Sequence, residues 1–138
     1  WVSKIKEKSL ERHFLLPGYV SYRQLPKYIG AMDVCVAPFL KEVGESVAVK
    51  IFDYLSCQKP VVMSDVSGTG KFFIPSGAVI LVPPEDPLLL AEKIVELLGN
   101  EKMRLKMGQK GRKYILNNFD RKTVAKQIEA IAIRLSQK

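Results

Sequence analysis

Three short apolar segments stand out along the chain, and amphipathic stretches separate them. Residues 34–37, 60–63 and 78–82 are apolar at successive positions, which predicts strands buried on both faces. Phe14–Leu16, which is followed by Pro17 and Gly18, predicts a further short strand. Because helical patterns alternate with these strands, we expect the strands to lie parallel in one sheet.

The intervening and terminal segments have the spacing of amphipathic helices. Ser21 is a predicted N-cap for a helix over 22–31, and Asp86 with Pro87 predicts the start of a helix over 87–98. The other predicted helices are one that ends near residue 12 and those over 47–57, 102–117 and 121–136. The last helix carries an apolar stripe formed by Val124, Ile128, Ile131 and Leu135.

These patterns predict the α/β class: a Rossmann-like parallel sheet with helices on both faces and an all-helical end over residues 86–138. In such sheets, ligands bind beyond the carboxyl ends of the strands. The loops after Ala37 and Met63 and the Pro83–Pro84 turn are therefore expected to border a ligand site. We expect residues 1–138 to be part of one domain of a longer protein, because the pattern at Trp1 is typical of mid-helix.

The excess of basic over acidic side chains lies entirely in residues 101–138. The 138 residues carry a formal net charge of +8. Residues 1–100 hold 11 basic and 11 acidic side chains, whereas residues 101–138 hold 11 basic and 3 acidic ones. Such a segment suits nucleic acid, anionic lipid or another phosphate-bearing partner, and it equally suits a solvated helix face.

Two further features limit the class of protein. No apolar run approaches the roughly 18 residues of a membrane-spanning helix. Cys35 and Cys57 stand in apolar surroundings, so we expect buried thiols in a reducing compartment and no disulfide.

The loop after Ala37 is the strongest candidate for chemistry. It leads into a helix whose N-terminus, at residues 46–49, offers backbone N–H groups and partial positive charge to a phosphate. Glu45 precedes that helix, Asp53 lies eight residues later, and Lys50 lies between them. From spacing alone, the simpler interpretation is that Glu45 is a capping carboxylate and that Lys50 and Asp53 form a solvated ion pair.

The order of residues in this region resembles the donor-binding half of retaining glycosyltransferases with the GT-B architecture of two Rossmann-like domains. In that family a Glu, seven residues and a second acid bracket a loop and helix after a strand that ends in Pro. A Lys/Gly-Pro-Val-Val strand then follows. Here Pro38, Glu45, Asp53-Tyr54-Leu55 and Lys59–Ser64 stand in that order.

The resemblance extends over about residues 14–133. Upstream, Pro17–Val20 followed by Leu25-Pro26 is similar to the family's "Gly, x, Val … Leu-Pro" segment. Downstream it continues through Gly77 and the Val82–Pro84 turn. The chain would thus be part of the C-terminal, nucleotide-sugar-binding domain. The acceptor-binding N-terminal domain and the first strands lie outside it, so we expect this chain alone to be inactive.

The resemblance implies a role for each residue of the loop and helix. Glu45 would be the catalytic-site acid that contacts hydroxyls of the transferred sugar. Backbone N–H groups would hold the donor diphosphate, and Asp53 would accept hydrogen bonds from the ribose hydroxyls. The donor-binding residues are then Ser46, Val47, Ala48, Val49, Lys50 and Asp53. Asp53 replaces the more usual Glu, and Ser46 and Ala48 replace glycines of the family pattern.

The resemblance also implies the partners. The donor would be a nucleotide-diphosphate sugar, such as a UDP or GDP sugar, with no cofactor and no metal. The acceptor would be a polysaccharide or a lipid-linked glycan bound through the N-terminal domain. The expected location is cytoplasmic, with residues 101–138 able to meet an anionic membrane surface.

Two other interpretations stay open. The first is a nucleotide-sugar epimerase of the same architecture, which would break down the donor without a sugar acceptor. The second is a non-catalytic basic module over residues 102–138. That module would meet nucleic acid or an anionic membrane, although it lacks the interleaved aromatic residues of single-strand binders, since only Tyr114 and Phe119 fall there. For the glycosyltransferase we expect no nucleic-acid partner.

Overall fold

A three-stranded parallel sheet forms the centre of the protein. The computed structural model describes residues 2–41, 48–66 and 68–136. Its strands are β1 (Cys35–Ala37), β2 (Val61–Ser64) and β3 (Val79–Val82), hydrogen-bonded in the order β1-β2-β3. All four residues of β2 are buried, so both faces of the central strand are covered. The predicted α/β class is confirmed.

Seven α-helices are present in the described residues. They are α1 (Val2–Glu7), α2 (Leu25–Gly30), α3 (Val49–Ser56), α4 (Thr69–Phe73), α5 (Pro87–Leu98), α6 (Glu101–Phe119) and α7 (Arg121–Ser136). Short 3-10 turns lie at Glu11–His13 and Ile74–Ser76. The predicted helices at 87–98 and 121–136 match α5 and α7, and Asp86 caps α5 as expected by accepting a hydrogen bond from the Leu89 backbone N–H.

The core lies between the sheet and helices α3, α5 and α6. Ile51 and Leu55 of α3 are fully buried, as is Leu97 of α5. The rings of Phe52 and Phe73 meet edge to face, with centroids 5.0 Å apart. These contacts fix the orientation of α3, whose opposite side carries the candidate site residues.

The strand predicted at Phe14–Leu16 is wrong. This segment is irregular, and Phe14, Leu15 and Leu16 are 48%, 83% and 58% exposed. A strand persists only where a neighbour pairs with its backbone N–H and C=O groups. The three-stranded sheet of the described chain does not extend to this segment.

Two helix boundaries in the first part of the chain also differ from prediction. α2 begins at Leu25 rather than residue 22, and its N-cap is Gln24 rather than Ser21. Pro26 falls in the first turn, where its missing N–H costs nothing, and the residues before it form a turn. α1 ends at Glu7, about five residues before the predicted end.

The long basic segment forms two helices with different environments. α6 buries Met107, Gly108, Gly111 and Ile115, whereas none of the residues of α7 is buried. The predicted helix over 121–136 is therefore correct, but its apolar stripe is exposed to a large extent. Ile128, Ile131 and Leu135 are 62%, 53% and 62% exposed.

The two thiols differ in their surroundings. Cys35 on β1 is buried as predicted, and burial raises its pKa to about 12. Cys57 at the end of α3 is only half-buried, so that part of the expectation is wrong. Both cysteines are free. Among the described residues, no helix combines the length and apolar character needed to cross a membrane.

Candidate functional site

The three loops expected to border a ligand site do meet at the carboxyl edge of the sheet. They enclose a cavity of about 300 Å³ with largely apolar walls. It is lined by Pro38, Phe39 and Leu40 after β1, Ser64 of β2, Pro83, Glu85, Asp86 and Pro87 after β3, and Leu90 of α5. Residues 25 and more positions apart in sequence are thus brought to one edge, as parallel strands require.

The first turn of α3 is capped differently from the first turns of α5 and α6. The Asp86 carboxylate and the Asn100 amide oxygen accept hydrogen bonds from backbone N–H groups in those two helices, each at 2.9 Å. The N-cap of α3 is Ala48, which brings no side-chain acceptor. Within the described residues, no side chain accepts a hydrogen bond from the first turn of α3, which carries the positive end of the helix dipole.

Lys50 lies in this first turn, above an aromatic ring. Its Nζ atom is 5.1 Å from the centroid of the Phe39 ring, within the range of a cation–π contact. The backbone N–H of Phe39 donates a 3.0 Å hydrogen bond to Ser64 Oγ. The cation therefore lies on a ring that also lines the cavity at the strand edge.

Asp53 lies on α3, three residues after Lys50, and lines a second cavity of about 180 Å³. The walls of that cavity include Tyr22, Leu25 and Pro26, which come from α2 and the turn before it. Burial raises the pKa of the Asp53 carboxyl, because desolvation disfavours its charge. Within the described part of the chain, Lys50 and Asp53 form no ion pair, which speaks against the simple solvated pair.

The predicted site residues fall into three groups according to where they lie in the structure. Ala48, Val49 and Lys50 lie together at the start of α3, and Asp53 faces the second cavity. Glu45, Ser46 and Val47 lie outside the described residues. The described residues contain no group of three or more His, Cys, Asp or Glu side chains arranged to hold a metal ion.

Sequence reasoning did not identify Phe39, Ser64 or Tyr22 as site residues. The position of Phe39 immediately after a strand that ends in Pro38 is a signal that could have drawn attention to it. Ser64 ends its strand with a polar side chain among apolar ones, which is a similar signal. The approach of Tyr22 to Asp53 depends on tertiary contacts and has no local signature.

Comparisons with known proteins agree on one family. The sequence profile of the family "Glycosyl transferases group 1" matches residues 2–114. An uncharacterized glycosyltransferase of Methanocaldococcus jannaschii is 30% identical over 102 residues, which cover 74% of this chain and 28% of that protein.

Two solved structures have the same fold. Sucrose-phosphate synthase from Thermosynechococcus elongatus superposes with a TM-score of 0.85 and 26% identity, over 99% of this chain and 33% of that one. The C-terminal domain of a glycosyl transferase group 1 family protein from Francisella tularensis superposes with a TM-score of 0.73 and 17% identity. That match covers 87% of this chain and 60% of that domain's chain.

This chain spans about 28% of the archaeal relative and a third of the synthase. The match to the synthase, which covers 99% of this chain, fits the C-terminal domain of a GT-B glycosyltransferase, as the sequence pattern had indicated. The chain belongs to the glycosyl transferases group 1 family.

Proposed function

We propose that this chain supplies the donor site of a retaining glycosyltransferase that transfers a sugar from a nucleotide-diphosphate sugar. One observation carries the proposal: on one side of α3, Lys50 and the first turn, which no described side chain caps, adjoin the strand edge while Asp53 lines a cavity. Hydrogen-bond donors and positive charge suit a diphosphate, and a carboxylate beside an apolar wall suits the ribose hydroxyls and base of a nucleoside. The first turn of α3 with Lys50 offers the former, and Asp53 beside the walls from α2 offers the latter.

The diphosphate is proposed to lie at the N-terminus of α3. Backbone N–H groups there would hold the oxygens that become negative when the glycosidic bond to the donor breaks. Lys50 would add a point charge beside them. We expect this arrangement to work without a metal ion.

The nucleoside is proposed to lie next to Asp53. The carboxylate would accept hydrogen bonds from two ribose hydroxyls, one on each oxygen. The cavity walls formed by Tyr22, Leu25 and Pro26 would adjoin the base. Tyr22 is 77% exposed, so its ring is free to rest against a base.

The transferred sugar is proposed to contact Glu45, the catalytic-site acid implied by the family pattern. The acceptor, a polysaccharide or a lipid-linked glycan, would be bound by the N-terminal domain of the longer protein. An epimerase of the same architecture would consume the donor without any acceptor. A requirement for a sugar acceptor in the longer protein therefore separates the two activities.

The test of the donor site is the affinity for nucleoside diphosphates, measured by calorimetry with UDP, GDP and ADP. For the nucleotide that binds, Asp53→Asn should lower the affinity about tenfold, because an amide accepts hydrogen bonds on only one of its two polar atoms. Asp120→Asn removes the same charge at the junction of α6 and α7 and should leave the affinity unchanged. Equal affinities for both variants and the unaltered chain would reject the assignment of Asp53.

We also propose that α7 meets an anionic membrane surface. Its exposed Ile128, Ile131 and Leu135 lie on one side of the helix. The helix also carries Arg121, Lys122, Lys126 and Arg134 against a single acidic residue, Glu129. Exposed apolar side chains flanked by cations are complementary to an interface of acyl chains and anionic headgroups.

Ile131 and Ile133 provide a matched pair for testing this contact. They are 53% and 51% exposed, but they lie on opposite sides of the helix because they are two residues apart. The chain should co-sediment with phosphatidylglycerol-containing vesicles and not with pure phosphatidylcholine. Ile131→Gln should weaken that binding several-fold, and Ile133→Gln should not. Equal binding to both vesicle types, or none, would contradict the proposal and favour a protein partner for this face.

A further inference from the structure

The ring of Phe39 connects the end of β1 to the first turn of α3. Phe39 is the second residue after β1, and the Lys50 Nζ atom lies 5.1 Å from its ring centroid. The two residues are eleven positions apart in the sequence, Phe39 just after β1 and Lys50 in the first turn of α3. The contact therefore joins the two elements that border the proposed diphosphate position.

Phe39 is itself held in place. Its backbone N–H donates to Ser64 Oγ at 3.0 Å, and Ser64 is only 3% exposed at the end of β2. The Phe39 side chain is half-buried against the core and forms part of the wall of the 300 Å³ cavity beside Leu90. The backbone hydrogen bond and the packing together fix the position of the Phe39 ring, so the flexible Lys50 side chain can rest its ammonium on a ring that does not move.

We propose that Phe39 is a positioning residue that holds the Lys50 ammonium at the N-terminal end of α3, with Ser64 anchoring Phe39. The proposal rests on the proposed function, because it assigns that ammonium to the donor diphosphate. It adds to the site a residue that lies outside the Glu45–Asp53 segment of the family pattern.

The physical reason for such a positioning residue is the conformational freedom of the lysine side chain. An exposed lysine side chain samples many rotamers, and ordering it on a ligand costs conformational entropy. A cation–π contact restricts the ammonium to the ring face before the ligand arrives. The N–H bonds of the ammonium that point away from the ring stay available to phosphate oxygens.

The contact can be measured without any ligand. The Cε protons of Lys50 should show an upfield NMR shift from the ring current of Phe39. Phe39→Leu should abolish the shift while largely preserving the apolar volume, and Phe39→Tyr should retain it. Lys50 Cε shifts that are the same in the unaltered chain and in Phe39→Leu would overturn the proposal whatever the protein binds.

The functional consequence is measured with inorganic pyrophosphate as the probe. Phe39→Leu should weaken pyrophosphate binding about threefold, and Phe39→Tyr should not. Lys50→Gln should weaken it more, and the Phe39→Leu/Lys50→Gln double variant should be no weaker than Lys50→Gln alone. Lys4→Gln, which removes a charge on α1, controls for the general effect of charge.

The outcomes separate this proposal from the proposed function. If the effects of Phe39→Leu and Lys50→Gln are additive, Phe39 does not act through Lys50 and only the positioning role is overturned. If Asp53→Asn weakens nucleotide binding but Lys50→Gln leaves pyrophosphate binding unchanged, the donor site stands and the role of Lys50 is overturned. If neither pyrophosphate nor any nucleotide binds the unaltered chain, both proposals fall.

Discussion

Helices α6 and α7 come from the same basic stretch of sequence, yet they have different relations to the rest of the protein. α6 is tied to its surroundings by side chains: Arg112 donates to the Ser56 carbonyl, and the Tyr114 hydroxyl donates to the Phe72 carbonyl. The Phe119 ring meets Phe52 of α3, with centroids 5.1 Å apart. α7 packs along α6 and buries none of its own residues.

The difference depends on two glycines. A Cβ atom on Gly108 would lie 2.0 Å from the Gln58 carbonyl oxygen, and one on Gly111 would lie 2.8 Å from the Ala78 Cβ atom. The absence of these side chains allows α6 to approach the end of α3 closely. α7 carries an apolar stripe, yet none of its residues is buried. Amphipathic spacing therefore predicts that a helix forms, whereas burial depends on whether another surface fits it.

The largest effect on stability should come from adding a side chain where α6 closely approaches the backbone of Gln58. Gly108→Ala should lower the free energy of unfolding by about 3 kcal/mol, because the backbone of Gln58 cannot move aside as a side chain would. Gly30→Ala is the matched control, since nothing lies within 4 Å of its added Cβ. It should raise stability by about 0.5 kcal/mol through helix propensity. Denaturant unfolding that ranks the two variants equally would contradict the packing of α6.

The next largest effect on stability should be the difference between truncating an isoleucine on α6 and truncating one on α7. Ile115 on α6 is 8% exposed, and Ile128 on α7 is 62% exposed. Ile115→Ala should cost about 2 kcal/mol, and Ile128→Ala should cost less than about 0.5 kcal/mol. The urea midpoint of each variant measures the difference. A similar loss for both would show that α7 is as deeply packed in solution as α6.

The smallest effect on stability is expected at Asp53, where function and folding oppose each other. Burial raises the pKa of this carboxyl in the folded protein, so its ionised form is unfavourable at neutral pH and that cost disappears as pH falls below the folded pKa. Asp53→Asn removes the charge. It should leave the melting temperature unchanged or slightly higher at pH 7, in contrast to Gly108→Ala.

The same pKa sets the pH dependence of nucleotide binding. Ribose hydroxyls donate to the ionised carboxylate, so protonation competes with binding. Affinity should fall on acidification from a higher pH than an ordinary aspartate would produce. Asp53→Asn retains the titration of the nucleotide phosphate and should lose this component. Parallel pH profiles for the two proteins would exclude Asp53 from the site.

Local signals in the sequence predicted much of this fold. The three buried strands and the capped start of α5 follow from runs of apolar residues and from Asp86 with Pro87, which act over a few positions. Phe14–Leu16 has the same local signal, but a strand also needs a partner. The exposure of the stripe on α7 depends in the same way on a surface that short-range patterns do not describe.

Only part of the candidate site could be predicted, because its remaining contacts also depend on the packing of distant segments. Lys50 and Asp53 stand in a spacing that the family pattern highlights, and both lie on the accessible side of α3. The contact of Lys50 with Phe39 and the placing of Asp53 beside Tyr22 depend on how α3 packs against β1 and α2. Such contacts join residues eleven to thirty-one positions apart, where no periodicity connects them.

An NMR titration of the chain with UDP, GDP and ADP, with and without magnesium, would show whether α3 carries a nucleotide-sugar donor site. We expect one of these nucleotides to produce saturable shifts at Ala48–Asp53 and Tyr22, with the same affinity in the presence and absence of magnesium. Shifts confined to the basic residues of α6 and α7, or no saturable shifts with any of the three nucleotides, would contradict a donor site on α3.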